Sequence, residues 1–197
     1  DIENPYLPNK EKAYKMLKRE SNMLHFQIEN DFATNGNDGM ASLQNARYNL
    51  TSEWRLGYNN THGYEIETHF GRYVDKMQWL MPFIGFDYRY RKLGTTVEKN
   101  IFGQRSSKDS RALVSVGLEY TLPFLIIIQG EVFHNGDVRF QLKREDIPVS
   151  KRLRAAFMVN TDKDCMAGLT YILTKNSGIT SQYDSDMCWG AGITLDY

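Results

Sequence analysis

The segment "SDMCWGAGITLDY" (185–197) alternates between two kinds of side chain. Every second position from Met187 to Tyr197 is apolar, and the positions between them are small or polar. A period of two is that of a β-strand, whose successive side chains point to opposite faces. The segment is therefore predicted to be a strand with one apolar face and one polar face.

The same alternation recurs from residue 21 onward. Phe26 and Ile28 share one face of the first run, and Gln27 and Glu29 share the other. Turn signals such as "TNGNDG" (34–39) and "HNGD" (134–137) separate successive runs. Residues 21–197 are therefore predicted to be one all-β domain. Residues 1–20 contain two prolines and a run of helix-forming residues, which predicts a linker and a short helical arm.

The composition only partly distinguishes a membrane barrel from a soluble barrel. The net charge is zero, which argues against nucleic acid as a partner. The longest apolar run, "PFLIIIQG" (123–130), is far shorter than the ~20 residues of a membrane helix. A soluble ligand-binding barrel would carry the same alternation with the polarity reversed. Long strands, a charged second face, one long loop at about 92–110, and Tyr and Trp at strand ends favour a membrane barrel.

The strand number follows from counting the alternating runs. There are eleven clear runs, or twelve if "NLTS" (49–52) breaks the stretch 39–60 into two strands. Bacterial single-chain barrels use even numbers, which favours twelve. Twelve strands place both termini on the periplasmic side and the long loop, after the fifth strand, outside the cell. The prediction is a closed antiparallel transmembrane β-barrel of about twelve strands in the bacterial outer membrane.

The segment "VSVGLEYTLPFLIIIQGEVFHNGDVRFQLKREDIPVSKRLRAAFMVN" (114–160) resembles the copper resistance protein B family of outer-membrane barrels. The matching features are a V-G-x-E-Y strand, a turn at a proline, a "GDV" hairpin and a "SKRL" junction. "GFDYRY" (85–90) and "QYDSDM" (182–187) are similar to the Bacteroidetes-type members, in which the barrel follows a multicopper-oxidase-like region.

The resemblance implies a role in copper handling or resistance, with copper as the bound metal. It also implies that the final aromatic residue is an assembly signal. The start at Asp1, with no Met and no signal peptide, predicts a processed or partial sequence. The implied partners are outer-membrane lipid and an upstream or separate multicopper-oxidase-like protein. The His- and Met-rich N-terminal tract of the family is absent here, so copper sequestration by such a tract is not implied.

Two groups of candidate copper ligands follow from the twelve-strand topology, because Cu(I) favours thioether and thiolate while Cu(II) favours imidazole and oxygen. The group predicted in the periplasmic half comprises Met23, His25, Glu67, His69 and Met81. The group predicted at the outer rim comprises His62, His134, Met158, Met166, Met187 and Cys188. No HxH, CxxC or MxxM motif occurs, so the alternative is that these side chains only pack and the barrel is a structural anchor.

Charged residues on the inward face predict a salt-bridged lumen, with a narrow ion path as the alternative. The acidic ones are Glu29, Glu53, Glu65, Glu67, Asp87, Glu119 and Glu131, and the basic ones are Arg47, Arg55, Arg89, Arg111, Arg139 and Arg154. His25, His62 and His69 have no evident serine partner, so the chain is not predicted to be an enzyme. A Cys165–Cys188 disulfide is an open alternative, although the two residues begin strands ten and twelve, a separation of ~9–10 Å that exceeds ordinary disulfide reach.

Overall fold

The computed structural model describes residues 15–16, 18–19, 22–58, 63–90, 100–104, 111–185 and 187–196. The strands are β1 (His25–Ala33), β2 (Gly36–Gln44), β3 (Tyr48–Gly57), β4 (Tyr64–Arg72), β5 (Leu80–Tyr90), β6 (Arg111–Leu122), β7 (Ile126–Phe133), β8 (Val138–Pro148), β9 (Leu153–Asn160), β10 (Cys165–Thr174), β11 (Ser177–Asp184) and β12 (Cys188–Asp196). Residues 15–16 and 18–19 are helical, and Pro123–Leu125 forms a 3-10 turn. None of the helical turns in the described part of the chain has the length and hydropathy of a membrane span.

The twelve strands form one closed antiparallel barrel, as predicted. Each strand pairs with its neighbours in sequence, and β1 closes the barrel by pairing with β12 in a register that sets Asp31 opposite Thr194. Closure gives every strand two partners, so no edge is left with unpaired backbone groups. We call the end that carries His25 and Asp196 the termini end, and the opposite end the loop end.

The two-residue period sorts side chains between the exterior and the lumen. On β5, Ile84 and Phe86 are exposed on the outside, whereas Asp87 and Arg89 are buried inside. This polarity is the reverse of a soluble barrel, which excludes that alternative. An even strand number, an apolar exterior and a polar interior are the features of bacterial outer-membrane barrels, so the predicted location is confirmed.

Aromatic side chains gather near both ends of the strands. At the loop end, Tyr64 packs against Tyr88 and Tyr90, with ring centroids 5.7 and 5.4 Å away. At the termini end, the rings of Tyr48 and Phe70 stack with their centroids 6.1 Å apart. Tyr and Trp are favoured where a ring is apolar at one end and wet at the other, as at a membrane interface.

Two turns differ from their predicted positions. The break between β2 and β3 lies at residues 45–47, where the Asn45 side chain accepts the N–H groups of Arg47 and Tyr48; "NLTS" lies within β3. Arg47 is therefore exposed in a turn and does not point into the lumen. The first turn is confined to residues 34–35, and the rest of "TNGNDG" begins β2. Gly39 serves packing there, since a Cβ would lie 2.3 Å from the Trp54 ring.

Met187 does not join the apolar exterior face of the last strand. It lies in the turn before β12, is 2% exposed, and its N–H donates to Asp184 at 3.2 Å. The alternation of exterior and lumen faces begins only where the chain is extended, in β12. Trp189 and Ile193 lie in that strand and face outward. The predicted long loop follows the fifth strand, but residues 91–99, 105–110 and Tyr197 lie outside the described residues.

Candidate functional site

Charged side chains from β8 cross the lumen to β3 and β4. The Lys143 ammonium lies 3.2 Å from the Glu53 carboxylate, and the Arg139 guanidinium pairs with Glu67 as well as with Glu131. Because β8 and β3 lie on opposite sides of the barrel, these contacts divide the lumen lengthwise. We call Glu53, Glu67, Arg139 and Lys143 the partition.

The lumen on the β5–β7 side of the partition is packed with side chains. Met81, Phe83, Leu113 and Phe133 are all buried there. The Arg139 guanidinium carbon lies 5.4 Å from the centroid of the Phe133 ring. Apolar side chains inside the barrel therefore support the partition from one side.

The other side of the partition is a cavity of about 640 Å³. Its outer wall comes from β9–β12, β1 and β2, whose inward residues are largely small. They include Ala156, Gly168, Thr170, Thr180 and Thr194. Along β10 the lining runs from Met166 to Ile172, which is about 20 Å of strand at ~3.3 Å per residue. The cavity is thus long and follows the strands.

Carboxylates dominate the cavity lining. Nine acidic residues line it against four arginines. The acidic residues are Glu29, Asp31, Asp38, Glu53, Glu65, Glu67, Glu145, Asp146 and Asp196, and the arginines are Arg55, Arg89, Arg139 and Arg154. Glu29 and Asp196 face each other directly on neighbouring strands. Like charges placed opposite each other repel, so this wall attracts cations.

Arg55 bridges strands near the loop end of the cavity. From β3 it contacts Asp38 of β2 at 3.5 Å and Asp184 of β11 at 3.4 Å. Gln182 donates to Asp38 at 2.9 Å, which completes a polar cluster on this side. Two carboxylates compensate the Arg55 charge, so the cluster does not reverse the negative sign of the lumen.

A second cluster lies where the partition meets the packed side. One ligand atom each from Glu67, His69 and Glu131 lie within 4.8 Å of one another. His69 Nε2 is 3.1 Å from Glu67 Oε1, and the His69 ring packs on Phe83 with centroids 4.4 Å apart. A carboxylate from β7 thereby joins two residues of β4.

The structure joins only part of the first predicted ligand group. Glu67 and His69 are adjacent, and Met81 lies against Gly71, farther toward the termini end on the same wall. His25 and Met23 are exposed near the start of β1 and do not approach them. The prediction placed these residues on neighbouring strands, whereas three strand spacings separate β1 from β4, so the five do not form one group. Glu131 was predicted to point into the lumen, but its contact with the residues of β4 was not predicted. Those residues lie more than sixty positions away in the sequence.

The second predicted group also divides. Met158 and Met166 sit directly opposite each other on β9 and β10, and both line the cavity. His134 is exposed in the β7–β8 turn, where its Nδ1 accepts the Val114 N–H at 3.3 Å. Cys188 is exposed and Met187 is buried in the preceding turn, so neither joins the methionine pair. His62 lies outside the described residues, and Cys165 and Cys188 are both free.

Comparison with known proteins supplies no family. No protein-family model matches the chain, and no curated protein matches it. The chain is similar to a solved structure of the KdgM porin in complex with disordered oligogalacturonate, at 10% identity and a TM-score of 0.47, covering 87% of this chain and 98% of that one. It is also similar to a triple mutant of the Rhodopseudomonas blastica porin, at 10% identity and a TM-score of 0.42. That match covers 83% of this chain and 56% of the porin.

Proposed function

We propose that the protein is a narrow, cation-selective channel of the outer membrane. The observation that carries this proposal is the cavity lining of nine acidic residues against four arginines. A cleft of one sign with low-dielectric walls concentrates counter-ions, and rings of Asp and Glu select cations in channels.

The shape of the lumen supports a path for small ions. The partition leaves about 640 Å³ on one side of the barrel, spread along a strand length of about 20 Å. The carboxylates Glu29, Asp31 and Asp196 on the outer wall form no ion pair with the described residues. Their negative charges are therefore not neutralised by an ion pair, and they attract a mobile cation.

Reversal potentials across planar bilayers test this proposal. The wild-type barrel, inserted under a KCl gradient, is expected to show a potential of the sign for K⁺ selectivity. Glu29→Gln should move that potential toward zero because it removes a charge from the cavity wall. Glu119→Gln is the matched control: it makes the same charge change on β6, beside Met81 on the packed side.

Two results would contradict the proposal. One is anion selectivity of the wild type, and the other is an equal shift in Glu29→Gln and Glu119→Gln. A folded barrel that shows heat-modifiable migration on gels but carries no current would leave the structural anchor as the function.

Copper handling is a second candidate, and three methionines favour it. Met40, Met158 and Met166 all line the cavity, and Met158 is opposite Met166 on the neighbouring strand. Thioether sulfur is a soft ligand that selects Cu(I). In this candidate function, the partners are outer-membrane lipid and a multicopper-oxidase-like protein, and the barrel itself is not an enzyme.

Competition against a chromophoric Cu(I) chelator distinguishes the methionine pair from unspecific binding. Met158→Leu/Met166→Leu should lose the Cu(I) that the wild type withdraws from the chelator. Met77→Leu, in an exposed turn, should retain it. Equal uptake by all three proteins would exclude the pair as a copper site.

A further inference from the structure

We propose that Glu67, His69 and Glu131 bind a divalent transition-metal ion inside the barrel. The inference deepens the proposed function and rests on it, since the acidic cavity is the route by which the ion reaches the site. Glu67 lines that cavity, whereas Glu131 lies behind it.

The geometry suits one metal ion shared by three ligands. The three ligand atoms lie within 4.8 Å of one another, and two ligands of one ion at ~2.0–2.2 Å lie at most ~4.4 Å apart, so a small inward movement of the side chains brings all three onto one ion. Two of the ligands are at alternate positions of β4, and the third is on β7. The barrel wall therefore holds them on rigid elements.

Glu131 supplies an independent sign of a missing partner. The residue is 2% exposed, and its Oε1 pairs with Arg139. Its Oε2 is buried with no hydrogen-bond partner among the described residues. A buried carboxylate oxygen without a partner costs free energy, and a bound cation would satisfy it.

The surroundings position the imidazole as a ligand. Gly85 leaves room for the ring, because a Cβ there would lie 2.9 Å from His69 Cδ2. Phe83 covers one ring face. One imidazole with two carboxylates suits Zn²⁺ or Cu²⁺, while Cu(I) prefers sulfur. The site is therefore chemically distinct from the Met158–Met166 pair.

Electron paramagnetic resonance of Cu²⁺ added to the detergent-purified barrel tests the site directly. The chain has four histidines, so a His25→Gln/His62→Gln/His134→Gln variant keeps His69 alone. That variant is expected to retain one stoichiometric Cu²⁺ signal with nitrogen hyperfine coupling from a single imidazole. His69→Gln should lose the coupling while the other three histidines are intact.

The carboxylates are tested by Zn²⁺ titration calorimetry. Glu131→Gln should weaken the affinity by more than the ~10–100-fold typical of outer-shell partners, because it removes a ligand. Glu119→Gln makes the same charge change outside the cluster and should bind within a few-fold of the wild type. Heat-modifiable migration confirms that each variant is folded; the variant that keeps only His69 tests the site even if Glu131→Gln does not fold.

The outcomes separate this inference from the proposed channel. Loss of nitrogen coupling in the variant that keeps only His69, or equal Zn²⁺ affinity in Glu131→Gln and Glu119→Gln, would overturn the metal site. Selectivity for K⁺ together with either of those results would leave the channel standing. Metal binding at His69 in a barrel that carries no current would overturn the channel and leave the site.

Discussion

Asp75 organises the turn between β4 and β5 at the termini end. Its carboxylate accepts the N–H groups of Leu80 and Trp79, each at 3.0 Å, and that of Met77 at 3.2 Å. These backbone donors, with Leu80 contributing most, hold the pKa of Asp75 below its ordinary value. One short side chain thus satisfies the backbone of a turn in which Gln78 has a φ of 59°.

The pH dependence of this turn follows from the lowered pKa of Asp75. A depressed pKa means that the folded turn gains stability above the ordinary Asp pKa of ~3.9 and loses it as the pH falls through the folded pKa. Hydrogen-exchange protection of the Trp79 and Leu80 amides, corrected for intrinsic rates, should be constant from about pH 5 to 8 and fall below about pH 4. Asp75→Ala should lack that protection at every pH. Unchanged protection at pH 3 would contradict the prediction.

The pairing of β1 with β12 depends on a close approach at Gly192. A Cβ on this residue would lie 1.7 Å from the carbonyl oxygen of Phe32 and 2.6 Å from Ala33 Cα. Both contacts are backbone atoms of the facing strand, which cannot move away without opening the ladder. Closure of the barrel therefore restricts this position to glycine.

Gly192→Val is expected to impair barrel closure. The folded, heat-modifiable fraction after refolding into detergent should fall severalfold, because the first and last strands can no longer pair over Phe32–Ala33. Ala191→Val is the control, since Ala191 is the adjacent residue and is exposed on the lipid side. Equal folded fractions for the two variants would show that the close approach is unimportant.

Strand faces could be predicted from the sequence, whereas the ends of strands could not. The alternation of Phe26, Gln27 and Ile28 sets the faces of β1, because a strand allows only two orientations. Turn position depends on partners that are distant in sequence. Asn35 illustrates this, since its side chain donates to the carbonyl of Cys188 at 3.1 Å. The turn therefore ends at the asparagine of this Asn-Gly pair, and the glycine already belongs to strand β2.

The partition gives the whole barrel two unlike halves. Within the partition, Lys143 lies nearest the termini end. Its ammonium group is 3.2 Å from the Glu53 carboxylate and 3.5 Å from the Glu145 carboxylate. The Glu53 side chain is 41% exposed, so the pair is partly wet and its loss costs less than that of a fully buried ion pair. Removing this link opens the lumen without an unsupported buried charge.

Lys143→Met is therefore expected to enlarge the ion path. Single-channel conductance in KCl should rise, and the preference for K⁺ should increase, because a positive group leaves the lumen. Lys151→Met removes the same charge from an exposed turn and should change neither property. A lower conductance in Lys143→Met would show that the link supports the open path instead of narrowing it.

The strands and their two unlike faces follow from the period of two and the runs between turns. These properties are local, since each residue's face depends only on its neighbours in the chain. The choice of twelve strands over eleven, and of an apolar exterior over an apolar interior, also used what is general to bacterial outer-membrane barrels. The prediction of a salt-bridged lumen also came from this parity, and the structure shows such ion pairs, among them Arg89 with Glu65 and Arg139 with Glu131.

The partition, the cavity beside it and the Glu67–His69–Glu131 cluster depend on the tertiary structure. Glu53 and Lys143 meet only because the barrel closes with β3 opposite β8, and Glu131 meets His69 only because the lumen brings β4 and β7 together. Side chains that point inward from different strands have many possible partners. Barrel diameter, strand tilt and register select among them, and no local pattern encodes these quantities.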